Sequence, residues 1–520
     1  MTSVDKHDLK DLLLVSLCYL LSFSLIVLNS GLFWDDWILY SESAQSLVER
    51  FRAAGSVQSG YLHSFLQSLP HPILTCRIIV FLSYLFSAFA LYFILKPKLV
   101  KERTARFFIV VLFALFPVNH GRFTMISTTV ALYHLAFLLA ALVLFRPELR
   151  SKVIFRVTAL VLFALSFTIN SFLVIYMLLL VCVLCEKKLT QFDTTLIVTK
   201  RMWLFLDFFI LPVAFYIYKV LYATPYGLYQ EYNQLSFRSM IHAFIWLPVS
   251  IYTSFIEPLL YSFDTLSYTA LLGGMLLGAY VIAFRSADAL ELRHNKLFFT
   301  GLVFLCAANF PYLAVYKLPQ LLNDWENRHQ LLVPFGAALM LYSGGKLCME
   351  AVRMPRSVQV YLFALIVLLF AKTNIEFQVM YERDALKQLA LIENIRQNDI
   401  IRENRFFIFE DRTVGINVNQ RAFRSYEYTG ILKAAFNGGM RTGIDNGSVT
   451  SSDGNTQMPS MLSDARNNEI TIPQYRVIIE NGEYNLNIPN IVRLKLRRLF
   501  TPKEFMRNIS RVVSLRVVKI

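Results

Sequence analysis

Apolar residues in this chain come in long runs separated by short polar loops. They fall at about 11–29, 73–95, 107–118, 124–145, 153–169, 171–185, 203–222, 268–284, 297–316, 330–348 and 357–375. A bilayer core of ~30 Å needs about 20 helical residues, so the pattern predicts about eleven membrane spans. Residues 153–185 are too long for one crossing at ~1.5 Å per residue; Asn170 and Ser171 predict a hairpin there. The segment 241–262 is apolar but carries Pro248, Glu257 and Pro258, and reads as a re-entrant or surface helix rather than a span. No small-residue cleavage site closes 11–29, so the first run reads as a retained span, not a signal peptide.

The pattern changes after residue 375. Residues 376–404 read as a helix leading away from the membrane. The segments "RFFIFE", "YRVIIE", "IVRLKL" and "VVSLRVVKI" read as short strands, separated by turn signals such as "DNGS", "SDGN" and "ENGE". The expected fold is mainly α. A transmembrane helical bundle occupies 1–375 and includes a first loop at 31–72; a small soluble α+β domain occupies 376–520.

Composition agrees. The 520 residues are 56% hydrophobic and 17% charged, with mean hydropathy +0.48, which excludes an ordinary soluble enzyme. The net charge of +15 would suit nucleic acid, but the basic residues lie in short loops without a recognisable binding motif, so no nucleic-acid role is expected. One set of loops holds Lys96, Lys98, Lys101, Arg103 and Arg106, then Arg146, Arg150 and Lys152, then Lys187, Lys188, Lys200 and Arg201, then Arg285, Arg293 and Lys296, then Arg353 and Arg356. The alternate loops hold far fewer. The rule that cytoplasmic loops are basic puts the N terminus inside, and the first loop and C-terminal domain outside. A bacterial inner membrane is the expected setting. All six cysteines lie in or beside apolar runs, and Cys182 and Cys185 read as packing residues. No phosphate-binding loop, dinucleotide fingerprint, nucleophile elbow or H-E-x-x-H is present.

The stretch "GLFWDDWILY", residues 31–40, puts Asp35 and Asp36 between two tryptophans where the first span ends. Interfacial tryptophans are common, but adjacent carboxylates beside an apolar layer repel and raise at least one pKa. Such a pair suits a general base, or a divalent cation such as Mg or Mn held by oxygens. Residues 41–55 follow with an amphipathic pattern (Ala44, Leu47, Val48 and Phe51 on one side) that suits a helix lying in the interface.

One span, an acidic pair at the start of the first outside loop, an interfacial helix, many further spans and an outside C-terminal domain together resemble the GT-C superfamily of integral membrane glycosyltransferases. The resemblance implies transfer of a sugar from a polyprenyl-phosphate donor to a glycan, lipid or protein acceptor on the outer face, with an inverting mechanism. It makes Asp35 and Asp36 the catalytic pair. Leu39 stands where the D-D-x-x-R variant has arginine, and there is no D-x-D.

A phosphate donor needs basic groups at headgroup depth. Arg328 and His329 precede the run at 330–348, and His120 and Arg122 lie in "NHGRF", residues 119–123. Arg328 could instead brace Asp324 or Glu326. Tyr229 and Glu231, in a tyrosine-rich loop, are candidates for sugar binding; His63 and His71 read as loop hydrogen-bonding residues. The rival class is a non-enzymatic flippase or transporter of lipid-linked glycans. It would need polar groups along a path through the spans, and Asp207, His134 and Lys219 are the clearest there.

Overall fold

The computed structural model describes residues 5–96, 100, 102–185, 203–230, 233–264, 266–284, 294–322, 325–436, 438, 441–447 and 473–520. Glu231, Asp324, the "SDGN" turn and the basic loops at 186–202 and 285–293 lie outside the described residues. The chain divides into two compact units, residues 1–27 with 44–376, and residues 28–43 with 377–520. The main division falls between residues 376 and 377. Residues 28–43, with the acidic pair, belong to the second unit and not to the helical one.

The first unit is helical. Among the described residues, five helices long and apolar enough to cross a membrane start within it: Lys6–Val27, Pro72–Leu95, Ser127–Phe145, Phe237–Asp264 and His294–Leu313. A sixth, Arg356–Gln397, contains the division between the units. The first helix leaves Leu13, Leu17, Leu20 and Leu21 exposed, as a lipid-facing helix does. Shorter apolar helices include Arg103–Leu115, buried along most of its length, and the pair Val153–Ser166 and Phe172–Cys185. The turn between that pair falls at 167–171, where Asn170 and Ser171 predicted it.

Backbones approach closely where side chains are small. Helices His294–Leu313 and Val333–Ala351 meet at Gly301 and Gly336; a Cβ on Gly336 would lie 2.4 Å from the Leu305 nitrogen. Such small-residue contacts are how helices gain packing without a hydrophobic driving force in lipid. At one end of the bundle, Asp8 and Asp11 of the first helix meet Lys96, Arg103 and Arg106. Arg103 binds Asp11 through Nε and Nη2 at 2.8 and 2.7 Å, Lys96 pairs with Asp8, and the Tyr92 hydroxyl lies 2.8 Å from Asp11 and 3.1 Å from Asp8.

The segment around 241–262 is helical throughout. Pro248 and Pro258 do not break it: the α-helix Phe237–Ile251 passes through a π-helical turn, Tyr252–Ile256, into Glu257–Asp264. Pro258 cannot donate an amide proton and clashes with the carbonyl four residues back; a wider turn just before it relieves both problems. Asn309 ties the segment down, accepting from Ser250 Oγ at 2.8 Å and donating to Ser254 Oγ at 3.2 Å.

The second unit carries a four-stranded sheet of order β2-β1-β3-β4. The strands are β1 (Phe406–Asp411), β2 (Thr442–Asp445), β3 (Tyr475–Asn481) and β4 (Val513–Lys519). β1 runs parallel to β2 and β3, and β4 runs antiparallel to β3. Three of the four expected strands are present. The fourth, "IVRLKL", is instead part of a helix, Ile488–Phe500. The Asn487 side chain caps it by accepting from the Asn490 amide at 3.0 Å, Pro489 sits in its first turn, and Ile491 and Leu494 bury one face at helical spacing.

Candidate functional site

In the second unit, the chain leaving the first long helix turns sharply. Trp34 adopts φ +50°, a left-handed conformation unfavourable for a bulky side chain. The turn lets Asp36 begin the short helix Asp36–Ser41, and its Oδ2 accepts the Phe33 amide at 3.2 Å. Asp36 is fully buried, whereas Asp35 is partly exposed.

The strained turn is held by residues far away in sequence. Gln388 clamps Leu32 twice, its Oε1 accepting the Leu32 amide at 3.0 Å and its Nε2 donating to the Leu32 carbonyl at 2.7 Å. Asp384 orients Gln388, accepting from Nε2 at 2.8 Å while its other oxygen accepts the Val418 amide at 2.9 Å. Arg421 stacks over Trp34 at 4.5 Å and binds Glu427 through both terminal nitrogens at 2.5 and 2.7 Å. Burial alone would depress Arg421, but Glu427 and Asp384 hold its pKa above the ordinary arginine range. Phe33 packs edge-on to Tyr381, and Trp37 fills the space that Gly430 leaves, where a Cβ would lie 2.5 Å from the ring. None of Asp384, Gln388, Arg421 or Glu427 stood out in the sequence, and no local motif marks them.

In the first unit, the two basic segments come together. The short 3-10 helix His120–Phe123 packs beside Trp325–Gln330, and the Gly121 amide points at Asn327 Oδ1, 3.5 Å away. Thr124 and Ser127 hydroxyls both donate to the Gly121 carbonyl, at 2.8 and 3.0 Å, and fix the loop from its other side. Arg122 is 5% exposed. Its guanidinium lies 4.1 Å from the Phe23 ring centre, 5.1 Å from Phe123 and 5.3 Å from Tyr84. Among the described residues no carboxylate pairs with it, and its Nε has no acceptor. Burial holds its pKa below the ordinary value, and burial followed by the Arg122 charge holds the neighbouring His120 well below its own. Arg122, Asn119 and His134 line a cavity of about 20 Å³, roughly the room one water needs.

Arg328 and His329 are engaged differently. Arg328 Nη2 lies 3.1 Å from Glu326 Oε1, and His329 Nδ1 lies 3.0 Å from the other oxygen of the same carboxylate. His329 also stacks on Tyr312 at 4.9 Å, and burial, then Arg328, pull its pKa down to about 3. Arg328 therefore has the brace foreseen as its alternative role. Tyr229 ends the short helix Gly227–Tyr229 and is half-buried. His63 is buried against Phe51, and His71 precedes the Pro72–Leu95 helix in a left-handed conformation.

A divalent cation needs several converging oxygens. One oxygen of Asp36 is committed to the Phe33 amide, and among the described residues no three His, Cys, Asp or Glu side chains converge to hold a metal. Compared with known proteins, the chain matches no family model, no curated protein and no solved structure.

Proposed function

We propose that this chain is an integral membrane glycosyltransferase of the GT-C type. It would move a sugar from a polyprenyl-phosphate donor to a glycan, lipid or protein acceptor, with inversion. The observation that carries the reading is the acidic pair: two adjacent carboxylates directly after the first span, on a strained turn that a buried network holds rigid. Strain that costs about 1–3 kcal/mol per residue persists only where surroundings over-determine it, and it concentrates at functional sites. Within the pair, Asp35 is the base that takes the acceptor's hydroxyl proton, because Asp36 is fully buried and bound to the Phe33 amide. Asp36 is then the positioning residue.

The first unit supplies donor recognition in this reading. Arg122, a buried cation without a carboxylate, is better suited than Arg328 to a phosphate, since nothing must be displaced from it. Its cavity is water-sized, so donor binding must widen it. The finer topology is also part of the proposal: eleven crossings, with the helix Phe237–Asp264 not crossing and the acidic pair outside the cytoplasm. Residues 28–43 and 377–520 share one compact unit, which supports an odd number of crossings before residue 377 if the first helix crosses.

Against transport, the polar groups inside the spans are taken up locally. Asp207 binds Arg156 at 2.6 Å, Lys219 donates to Asn170 at 2.7 Å, and His134 lies 3.1 Å from Ser87 Oγ. The test is transfer from polyprenyl-phosphate sugars by purified protein in lipid vesicles. Asp35→Asn should lower turnover by at least ~100-fold, the usual size of a general-base effect, while the variant remains folded. Full turnover by both Asp35→Asn and Asp36→Asn would exclude catalysis by the pair. Protein that translocates the donor across vesicles without transferring its sugar would establish the flippase reading instead.

A further inference from the structure

The C-terminal helix that reads as a strand in sequence has an unusual surface. One face of Ile488–Phe500 packs inward through Ile491 and Leu494. On the opposite side Ile488, Val492, Leu496, Leu499 and Phe500 are exposed, Leu499 at 73% and Phe500 at 77%. At ~100° per residue these five form one stripe about 120° wide. Arg493 and Arg497 border it on one side and Lys495 on the other. From residue 488 to 509 the chain holds six basic residues and a single acid, Glu504. Arg497 pairs with Glu504 at 3.4 Å, while Arg493, Lys503 and Arg507 are exposed.

A large apolar stripe on a soluble face needs a partner, and the chain itself indicates which one. Lys495 Nζ donates to the Leu28 carbonyl at 3.1 Å, and Arg498 Nη1 donates to Ser30 Oγ at 2.6 Å. Leu28 directly follows Val27, the last residue of the first long apolar helix. Leu28 is itself 64% exposed. The amphipathic helix is therefore bonded to residues that closely follow the first long apolar helix. Where that helix ends at a bilayer surface, an apolar stripe beside it meets acyl chains and a flanking basic row meets lipid phosphates.

We infer that Ile488–Phe500 is an interfacial helix that docks the second unit onto the anionic headgroup layer of the protein's own membrane. The stripe enters the headgroup–acyl boundary, and Arg493, Lys503 and Arg507 bind lipid phosphates. The inference rests on the membrane reading of the first helix and not on glycosyl transfer.

The test uses the full chain, with its native cysteines replaced, in nanodiscs of phosphatidylglycerol or of phosphatidylcholine. An environment-sensitive fluorophore is placed at Leu499→Cys, and for comparison at Glu483→Cys, an exposed site of the same unit. The expected result is blue-shifted emission at 499 in phosphatidylglycerol, with lipid-attached quenchers acting severalfold more strongly there than at 483. A combined Arg493→Glu, Lys503→Glu and Arg507→Glu variant should lose most of the difference between the two lipids. Water-like emission at 499 in both lipids would overturn the inference. So would a buried label that lipid quenchers do not reach, as when a protein partner covers the stripe. A charge-reversed variant indistinguishable from the parent would overturn the role of anionic lipid.

Discussion

Two arginines, one in each unit, are held in opposite ways. Arg421 is saturated: it grips Glu427 with two nitrogens, lies 3.9 Å from Asp384 and stacks on Trp34. Arg122 has three aromatic rings around it and, among the described residues, no carboxylate. Cation–π contacts are worth about 2 kcal/mol when desolvated, well short of what burying a charge costs. The difference separates a cation that builds structure from one whose charge is left for something else. Arg421 secures the turn carrying the acidic pair, and Arg122 holds positive charge in reserve.

The largest expected effect is on the saturated side. Arg421→Met would leave the fully buried Glu427 and Asp384 without their cation, at a cost of about 3–5 kcal/mol. Thermal unfolding of the purified protein would register it, and a variant as stable as the parent would remove the contrast. Arg122→Met should do the reverse. Replacing an uncompensated buried charge by an apolar chain should leave stability unchanged or raise it by about 1–2 kcal/mol, while use of a phosphate-linked donor falls. A destabilisation as large as that of Arg421→Met would mean that Arg122 also serves structure.

The third prediction extends the comparison to His63, also buried in the first unit without an acid. Burial lowers its pKa from 6.5 to about 4, partly offset by the Ile126 backbone. The folded state keeps this histidine neutral, so its contribution is complete above pH 6.5 and is lost as pH falls toward 4. In that window stability should fall by about 1 kcal/mol per pH unit from this group. His63→Gln should flatten the slope in a pH series of melting curves. An unchanged slope would show that His63 titrates alike in the folded and unfolded chain, so that its burial shifts nothing.

The smallest effect belongs to Arg328. Its pair with Glu326 is partly exposed, the side chains being 26% and 34% accessible. Such pairs contribute below about 1 kcal/mol, so Arg328→Gln should barely move the melting temperature. If it impairs donor use as severely as Arg122→Met, Arg328 also binds donor phosphate and the division of labour drawn here is wrong.

What could be read in advance follows from the range of the signal. The apolar helices, the turn at Asn170 and three strands rest on local periodicity, and they are present. "IVRLKL" misleads because apolar and polar residues alternate over six positions, which imitates a strand; the Asn487 cap and Pro489 just before it carry the helix signal. Pro248 and Pro258 look like breaks because a proline lacks one hydrogen bond, yet a single π turn absorbs the defect. Asp35 and Asp36 were visible as an adjacent pair. Their support was not, because Gln388 and Leu32 meet across 356 residues of chain. Nor could sequence tell that Arg122 would lack a counter-ion and Arg328 would have one, since both stand in polar loops.

The second unit is assembled from two pieces of chain separated by residues 44–376. During synthesis the acidic turn emerges first, and 385 further residues separate Asp36 from Arg421, the last of its supports with Asp384 and Gln388. At ~5–20 residues per second that delay is roughly 20–80 s. Throughout it Trp34 has nothing to hold it in its left-handed state, and Asp35 is not yet presented in its final geometry. A ribosome that stops early therefore leaves a bundle in the membrane whose acidic pair is unformed. The turn gains its full set of contacts only once residues 384–427 have been made.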